Sequence, residues 1–483
     1  MGRAGDFLNH VFFQVVVLFN RIISFFQHSQ RLHTAHFAQI HQLSGLLTAN
    51  LHVLRVLPTQ TRRELGNVLV VAPTRGGKGL LATSQLLTWK HSVVVNDIKG
   101  DLYTQTAGYR ATLGKVYVID PTGLGNRFDP LFGKQTEDEL LSAATQLLYK
   151  PDEGEGAIFT QRARVMLTQL FLAGGAEGLP PLPYVRHIIR QGLPDAAQRL
   201  NAINPELATQ LLDVRYDGAN FTDRFLLSSW STLTARLRPL LTETVIRSLS
   251  SSDFSPTDLM TADAPMTVYL RWTERDLLAL SPLVRLLWGT LIDGLITIYD
   301  QQQGTNCKPV LLLIDEAGRS AIPSLANHAT TVVGRQASLW IAVQSLSQLN
   351  VVYGRERATV LRENMDSSIF YRQNDVETAE YLERCLGRKS DYAHSQTIRE
   401  GEQTSEGRME QGIPLLTAQE IKQMPDEQVI GFHRQLPPFL ATRMDWRQFP
   451  LLRERQAIPP RYCLCFLNLQ SAYQHWHHRA TVI

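Results

Sequence analysis

Short apolar runs alternate with longer amphipathic segments between residues 66 and 130. The run VLVVA (68–72) precedes the helical pattern GLLATSQLLTW, and the runs SVVVN (92–96) and KVYVID (115–120) continue the same rhythm. Short valine-rich runs of this kind are typical of strands buried on both faces of a parallel sheet. We therefore predict βαβ units and an α/β fold with a mostly parallel sheet.

The pattern changes after about residue 137, where apolar positions begin to recur at helical spacing and strand-like runs are absent as far as about residue 260. This change predicts an all-α domain inserted within the α/β domain. Further strands are predicted at 266–270, 309–314, 339–343 and 368–371, with a helix at 282–299.

The segment 11–26, VFFQVVVLFNRIISFF, is strongly apolar. Its length of about 16 residues is short of the ~20 that a membrane-spanning helix needs, and Gln14, Asn20 and Arg21 interrupt it. No small-residue cleavage site follows, which argues against a secretory signal. Three interpretations remain open: an interfacial anchor helix, a short spanning helix, or a helix packed on a partner.

Charge and cysteine content exclude several classes of protein. The chain has 48 Lys and Arg against 45 Asp and Glu, a net charge of +3, which rules out a uniformly basic nucleic-acid coat but leaves room for a local basic groove or pore. Its four cysteines are too scattered for a disulfide framework, and the pair at Cys463 and Cys465 is too closely spaced for a usual zinc site. We interpret them as reduced thiols in a cytoplasmic setting.

The stretch NVLVVAPTRGGKG (67–79) combines a predicted buried strand with a glycine-containing loop and a lysine. Such a loop presents backbone N–H groups to a polyphosphate, and Lys78 adds a charge near the outer phosphates. Two positions depart from the usual pattern, because Ala72 replaces the first glycine and Gly79 replaces the hydroxyl residue that holds Mg²⁺. We assign nucleotide binding to Pro73, Thr74, Arg75, Gly76, Gly77, Lys78 and Gly79.

A second motif is PVLLLIDEAG (309–318), in which a buried strand ends at two acids. Hydrolysis of a phosphoanhydride needs one carboxylate for hydrated Mg²⁺ and another for the attacking water. Ligands bind at the carboxyl edge of parallel sheets, so we assign Asp315 to the metal and Glu316 to the water. Gln344 ends another predicted strand and could contact the γ-phosphate or the attacking water. The expected cofactors are ATP and Mg²⁺.

The order of these motifs resembles that of the type IV secretion system coupling proteins, the TraG/TraD-like conjugal transfer ATPases. The resemblance extends over about residues 66–435 and includes SVVVNDIKGDLYTQTAGYR, KVYVIDP with RFDPL, LWIAVQSLSQLNVVYG, NDVETAEYLERCLGR and PLLTAQEIKQMPDEQVIGF. In that family a glycine often follows the loop lysine, so Gly79 no longer argues against nucleotide binding.

The resemblance implies a RecA-like P-loop motor domain, usually assembled as a hexamer with ATP sites at subunit boundaries. It also implies that Arg335 is an arginine finger that reaches the neighbouring subunit's site. Relatives usually carry two clear spanning helices before the motor, whereas this chain has only the weak candidate at 11–26. We expect an N-terminal helical region (1–57), a nucleotide-binding domain in two parts (58–136 and 263–450), the insertion (137–262) and a C-terminal tail (451–483).

The expected function is an ATP-hydrolysing coupling protein that drives or gates the transfer of single-stranded DNA, with a bound relaxase-type protein, into a type IV secretion channel during conjugation. The expected location is the cytoplasmic face of the bacterial inner membrane, reached directly or through a partner. One alternative is an ATP-regulated docking platform that recruits protein substrates to the channel without pumping DNA. Another is a scaffold that has lost turnover.

Overall fold

The computed structural model describes residues 34–38, 66–120, 125–131, 133–149, 154–272, 274–319, 322, 324–397 and 405–460. The apolar segment 11–26 lies outside these residues, as does the part of the expected C-terminal tail after residue 460.

A nine-stranded sheet forms the centre of the described structure, in the order β11-β10-β7-β1-β6-β5-β2-β4-β3. The seven strands from β7 to β3 run parallel, and β10 and β11 add antiparallel pairings beside β7. The strands are β1 (Val68–Val71), β2 (Ser92–Asp97), β3 (Val116–Ile119), β4 (Thr267–Arg271), β5 (Val310–Ile314), β6 (Ala337–Val343), β7 (Ser367–Tyr371), β10 (Gln428–His433) and β11 (Phe439–Thr442). A separate hairpin contains β8 (Arg388–Thr397) and β9 (Ser405–Pro414).

Helices connect the strands and build the insertion. They are α1 (Lys78–Thr88), α2 (Asp101–Leu113), α3 (Glu137–Leu147), α4 (Ala157–Ala176), α5 (Pro181–Gln191), α6 (Leu193–Ile203), α7 (Pro205–Leu212), α8 (Arg224–Leu237), α9 (Glu243–Ser248), α10 (Asp258–Thr261), α11 (Glu274–Gln301), α12 (Leu325–Thr331), α13 (Leu346–Tyr353), α14 (Arg355–Glu363), α15 (Val376–Leu386), α16 (Ala418–Lys422) and α17 (Pro450–Gln456).

Between β3 and β4 every regular element that the structure describes is helical. Helix α4 is the centre of this insertion, because it packs against α3, α5, α7 and α8. Its residues Leu167, Leu170 and Phe171 are fully buried. Burial of side chains of this size contributes about 1.5–3 kcal/mol each, so α4 supplies much of the insertion's core.

Arginine side chains donate hydrogen bonds to carbonyl oxygens at the carboxyl ends of two of these helices. Arg236 donates to Leu148 O at 2.6 Å, beyond the end of α3, and Arg162 donates to Leu211 O at 2.9 Å in the last turn of α7. The last carbonyls of a helix have no partner within it, and they attract cations. These two arginines therefore have structural roles within the insertion.

Helix α11 is longer than predicted, since it begins at residue 274 and not at 282. Its segment Ala279–Gln301 is long and apolar enough to cross a membrane by length and composition alone, and it is the one such segment among the described residues. Two thirds of its most apolar stretch is buried inside the protein, and Val284, Trp288 and Leu291 are fully buried. Its apolar character is that of a core helix.

The hairpin β8–β9 and the strands β10 and β11 were not predicted. The hairpin sequences RKSDYAHSQT and SEGRMEQGIP are mostly polar and lack a regular alternation of apolar positions. Strand formation in such polar segments depends on their cross-strand neighbours more than on intrinsic preference, so the pattern did not indicate it. The strands that were predicted lie close to their expected positions: β6 begins two residues earlier than expected, and β7 begins one residue earlier.

The first ten residues of the predicted C-terminal tail, 451–460, lie within the described structure and include most of helix α17. Helix α17 packs on α1 and α2, where Leu452 is fully buried with Leu87 and Tyr109. Arg455 lies over the Tyr109 ring at 4.7 Å and donates to Leu87 O at 2.6 Å. A short amphipathic helix of this kind depends on a partner surface, which the sequence pattern alone does not reveal.

We expect Leu452→Ala to lower the free energy of unfolding by about 2–5 kcal/mol, because it removes a fully buried leucine. The neighbouring Leu451 is 41 % exposed, so Leu451→Ala is the matched control and should change stability by only about 0.5 kcal/mol. Urea unfolding followed by circular dichroism measures both. Equal effects of the two variants would show that α17 does not dock in solution.

Candidate nucleotide site

The predicted phosphate loop lies at the carboxyl end of β1. The amide of Ala72 still donates to Val343 O at 3.0 Å, so pairing with β6 continues one residue past the strand. The chain then turns, with Gly76 N donating to Pro73 O at 2.9 Å, while Thr74 and Arg75 are exposed. Gly77 has φ +109°, a conformation that residues with a Cβ rarely adopt, and it leads into helix α1 at Lys78.

The first turn of α1 is suited to an anion. It contains no acidic residue, and no side chain caps it. The first amides of a helix have no partner within the helix, and they lie at the positive end of its dipole. A Cβ on Gly79 would meet no atom within 4 Å, so this position faces open space beside the loop. The loop therefore retains the physical properties of a phosphate site despite Ala72 and Gly79.

Three of the predicted site residues converge at the loop. Strand β5 is buried along its whole length and delivers Asp315 and Glu316 at its carboxyl end. Lys78 Nζ donates to Glu316 Oε1, and Gln344 Nε2 donates to Glu316 Oε2 at 3.2 Å. Arg319 Nε lies 3.7 Å from the same Oε2. The structure thus places the lysine of one motif against the acid of another, which is 238 residues away in the chain.

Gly318 and Gln348, which the sequence motifs contain but to which no role was assigned, pack together at the turn after β5. Glu316 has φ +57°, which turns the chain sharply after Asp315. A Cβ on Gly318 would lie 2.2 Å from Gln348 Cδ, so a larger residue there would displace the Gln348 side chain. Gln348 Oε1 also accepts a hydrogen bond from Gln344 N at 3.0 Å. The Gln348 side chain therefore lies between the turn after β5 and the amide of Gln344 at the end of β6.

Asp97 is a further acid at this edge, and the sequence analysis named it only as part of a family motif. Burial raises the pKa of Asp97 to about 6, against hydrogen bonds from the amides of Tyr103 and Leu102 and with a contribution from the charge of Asp315. Burial likewise raises the pKa of Asp315 to about 6, where the charge of Lys78 opposes the shift and the charge of Glu316 adds to it. The two carboxyl groups oppose each other's ionisation, and a cation between them would relieve that repulsion.

The pKa of Glu316 is lowered, in contrast to those of Asp97 and Asp315. Burial by itself raises its pKa, but the hydrogen bond and charge of Lys78, together with the hydrogen bond from Gln344, outweigh burial and hold the pKa of Glu316 below its ordinary value. Glu316 is therefore ionised at neutral pH. The two adjacent acids that the sequence predicted have different proton affinities because only one of them contacts the lysine.

Buried amides align the strand ends that carry these acids. Asn96 Nδ2 donates to Asp315 O at 2.9 Å, and Trp272 Nε1 donates to Asn96 Oδ1 at 3.3 Å. These bonds link the carboxyl ends of β2, β4 and β5. Within the described residues no group of three or more His, Cys, Asp or Glu is arranged to hold a metal ion. Asp315 and the nearby Asp97 place carboxylate oxygens at this edge, the kind of ligand that Mg²⁺ prefers.

The structure does not bring Arg335 to this chain's own site. Arg335 precedes β6, whereas Gln344 follows it, and a seven-residue strand spans roughly 23 Å. The Arg335 guanidinium makes paired hydrogen bonds to Asp300, at 2.8 Å and 3.0 Å, and a third to Thr331 O at 3.2 Å. A role for Arg335 in hydrolysis therefore requires a second copy of the chain.

Residues 58–460 match the model of a protein family described as Type IV secretory system Conjugative DNA transfer. The chain belongs to this family. The match confirms the resemblance to type IV secretion coupling proteins that the sequence motifs indicated.

Curated relatives include VirD4 of Rhizobium radiobacter, which is 27 % identical over an alignment of 424 residues that covers 82 % of this chain and 59 % of the relative. A conjugal transfer protein TraG of Escherichia coli is 28 % identical over 406 residues, covering 74 % of this chain and 62 % of TraG. The chain thus spans about three fifths of the length of these relatives.

Among solved structures, the conjugative coupling protein TrwB, in the form TrwBdeltaN70 with sulphate, superposes with a TM-score of 0.66 at 18 % identity. The match covers 86 % of this chain and 94 % of TrwB. TrwB in complex with ADP and Mg²⁺ gives a TM-score of 0.65 at 18 % identity, covering 85 % of this chain and 94 % of TrwB. The likeness confirms the predicted fold, a RecA-like P-loop domain with a mostly parallel sheet and an all-α insertion.

The raised pKa of Asp315 predicts a pH-dependent stability. Between its ordinary pKa of 3.8 and about 6, the folded chain holds a proton that the unfolded chain has lost. Ionisation therefore favours unfolding as the pH rises through this window. We expect Asp315→Asn, which cannot ionise, to gain up to about 3 kcal/mol relative to the parent between about pH 4 and about pH 7.

Urea unfolding of Asp315→Asn and of the parent, without Mg²⁺ and at about pH 4 and about pH 7, measures this gain. Asp217→Asn is the control, because the Asp217 side chain is 77 % exposed. A stability difference between Asp315→Asn and the parent that stays constant with pH would contradict the buried, protonated carboxyl.

Proposed function

We propose that this chain is the ATP- and Mg²⁺-dependent motor of a type IV secretion coupling protein. In this proposal it hydrolyses ATP and uses the energy to drive or gate the passage of single-stranded DNA, with a bound relaxase-type protein, into a secretion channel during conjugation. The observation that carries the proposal is the convergence of Lys78, Glu316 and Gln344 at a glycine-containing loop that begins a helix.

The loop residues 73–79 would bind the phosphates of ATP. Lys78 and Glu316 are paired in the structure, so Lys78 exchanges part of that contact for the phosphate oxygens when nucleotide binds. This exchange leaves Glu316 ionised and held by Gln344, beside the position of the outermost phosphate. Binding of the triphosphate therefore prepares the acid for the attacking water.

Glu316 is the proposed general base. Its lowered pKa keeps it ionised, and it would orient and deprotonate the water that attacks the γ-phosphate. Gln344 would orient the same water or report the presence of the γ-phosphate. Mg²⁺ would be held by Asp315 and would neutralise charge on the outer phosphate oxygens. The buried oxygen donors of Asp315 and Asp97 fit the preference of Mg²⁺.

Nucleotide binding by a relative of the same fold supports this proposal. TrwB has been solved with ADP and Mg²⁺ and with a non-hydrolysable ATP analogue. The family description and the name of the TraG relatives support conjugative DNA transfer as the process. We further propose a hexameric ring at the cytoplasmic face of the bacterial inner membrane, contacting the membrane directly or through a partner.

The purified chain should hydrolyse ATP in the presence of Mg²⁺, and single-stranded DNA should stimulate the rate. Glu316→Gln keeps the shape of the side chain but not the base, so we expect a loss of about 10²–10⁴-fold in kcat with nucleotide binding retained. Lys78→Ala should lose both binding and hydrolysis. Phosphate release and fluorescent-nucleotide titration measure these quantities.

Glu380→Gln, a change on the exposed face of α15, is the matched control and should behave like the parent. ATP hydrolysis that DNA does not stimulate would favour the alternative of a docking platform for protein substrates. Absence of hydrolysis in the parent, with Lys78→Ala fully active in transfer, would favour a scaffold and overturn the motor proposal.

Arg335 is proposed to act in the site of a neighbouring subunit. We expect Arg335→Ala to lower ATP hydrolysis by about 10³-fold, as removal of an arginine finger does. A mixture of Arg335→Ala and Lys78→Ala chains should recover activity, because an Arg335→Ala subunit with an intact loop can receive Arg335 from its Lys78→Ala neighbour. Arg215→Ala, at a side chain that is 86 % exposed, is the control. An inactive mixture of folded, assembled chains would exclude action in trans.

A further inference from the structure

A second cation lies against the phosphate loop, and it comes from the far end of the described chain. Arg443 directly follows β11, where its amide donates to Glu427 O at 2.6 Å. Its Nη1 lies 3.5 Å from Gly76 O. A Cβ on Gly77 would lie 3.5 Å from the Cδ and Nη1 atoms of Arg443. The guanidinium therefore contacts the two loop glycines, from a position 367 residues away in sequence.

Tyr371 and Gln373 lie beside Arg443 at this side of the loop. The Cε1 atom of Tyr371, at the end of β7, approaches the same point above Gly77 to 3.5 Å. Buried Gln373 donates to Val71 O at 3.0 Å and to Tyr371 O at 2.7 Å, and so ties the ends of β1 and β7 together. The carboxylate of the nearby Asp445 is engaged by Arg447, with distances from 2.6 to 3.1 Å. The side-chain hydrogen bond of Arg443 is made to Gly76 O in the loop, while its charge also helps to lower the pKa of Asp445.

The strand order places Arg443 and Glu316 on opposite sides of the loop. The loop follows β1, with β6 and β5 on one side and β7, β10 and β11 on the other. Asp315 and Glu316, on the β5 side, mark the end at which a triphosphate would be cleaved. The nucleoside end of a bound nucleotide would then lie on the opposite side, where Arg443 is.

We propose that Arg443 is a nucleotide-binding residue whose guanidinium contacts the α-phosphate at the nucleoside end of ATP held by residues 73–79. This inference rests on the proposed function. A guanidinium in this position adds charge-assisted hydrogen bonds at the end of the phosphate chain that Lys78 does not reach.

A contact to the α-phosphate has a specific kinetic consequence. Cleavage occurs at the γ-phosphate, so the charge on the α-phosphate is the same before and during the chemical step. Arg443 would therefore stabilise bound ATP, bound ADP and the transition state alike. Uniform binding of this kind lowers KM and leaves kcat unchanged.

The test compares Arg443→Gln and Arg443→Lys with Arg447→Gln in the full chain. Arg447 lies in the same segment, and its side chain is 58 % exposed and paired with Asp445, so it controls for the loss of a nearby charge. Dissociation constants for ADP and for a non-hydrolysable ATP analogue are measured with Mg²⁺, together with KM and kcat for ATP. Thermal unfolding without nucleotide checks that each variant is folded.

We expect Arg443→Gln to raise the dissociation constants of both nucleotides by about 10- to 100-fold, the effect of losing hydrogen bonds to a charged group. The value of kcat should stay within about twofold of the parent. Arg443→Lys should have an intermediate affinity, since it keeps the charge without the planar donor pair. Arg447→Gln should match the parent.

Three outcomes would overturn the inference. Unchanged affinity in Arg443→Gln, with the parent binding nucleotide, would remove Arg443 from the site and leave the proposed function intact. A fall in kcat with unchanged affinity would mean that Arg443 only shapes the loop. Absence of nucleotide binding by the parent itself would overturn the proposed function, and the inference with it.

Discussion

The side-by-side parallel alignment of β1, β6 and β5 is the constraint on which the candidate site depends. Each of these strands ends in a polar residue or loop, and parallel strands bring their carboxyl ends to one edge of the sheet. The contact of Lys78 with Glu316, and of Glu316 with Gln344, follows from that alignment. A shift in strand order would leave the loop and the acids intact in sequence but apart in space.

The electrostatics of the edge depend on one ion pair. Asp97 and Asp315 are buried and have raised pKa values of about 6, whereas Glu316, held by Lys78, has a lowered one. A buried carboxyl without a cation favours its proton, and one that contacts a lysine favours its charge. The site therefore combines an acid that Lys78 keeps ionised with two buried acids whose ionisation a bound cation would favour.

The all-α insertion leaves this arrangement undisturbed because of where it joins the sheet. The insertion begins after β3, which is the edge strand of the sheet, and ends before β4, which pairs with β3. The strands that carry the loop and Glu316 are separated from this edge by β2 and β4. The hydrogen-bond ladder of the central strands is therefore uninterrupted, while α11 links the insertion's core to the sheet domain through its buried apolar face.

The sequence by itself determined the parallel sheet, the helical insertion, the phosphate loop and the acids of β5, because hydrophobic period, glycine placement and strand-end chemistry are local properties. It could not determine which partners these residues meet. The Lys78–Glu316 pair, the different pKa values of Asp315 and Glu316, the docking of α17, the distance of Arg335 from its own loop and the approach of Arg443 depend on strand order and long-range packing. Those contacts join segments hundreds of residues apart, and no local pattern encodes them.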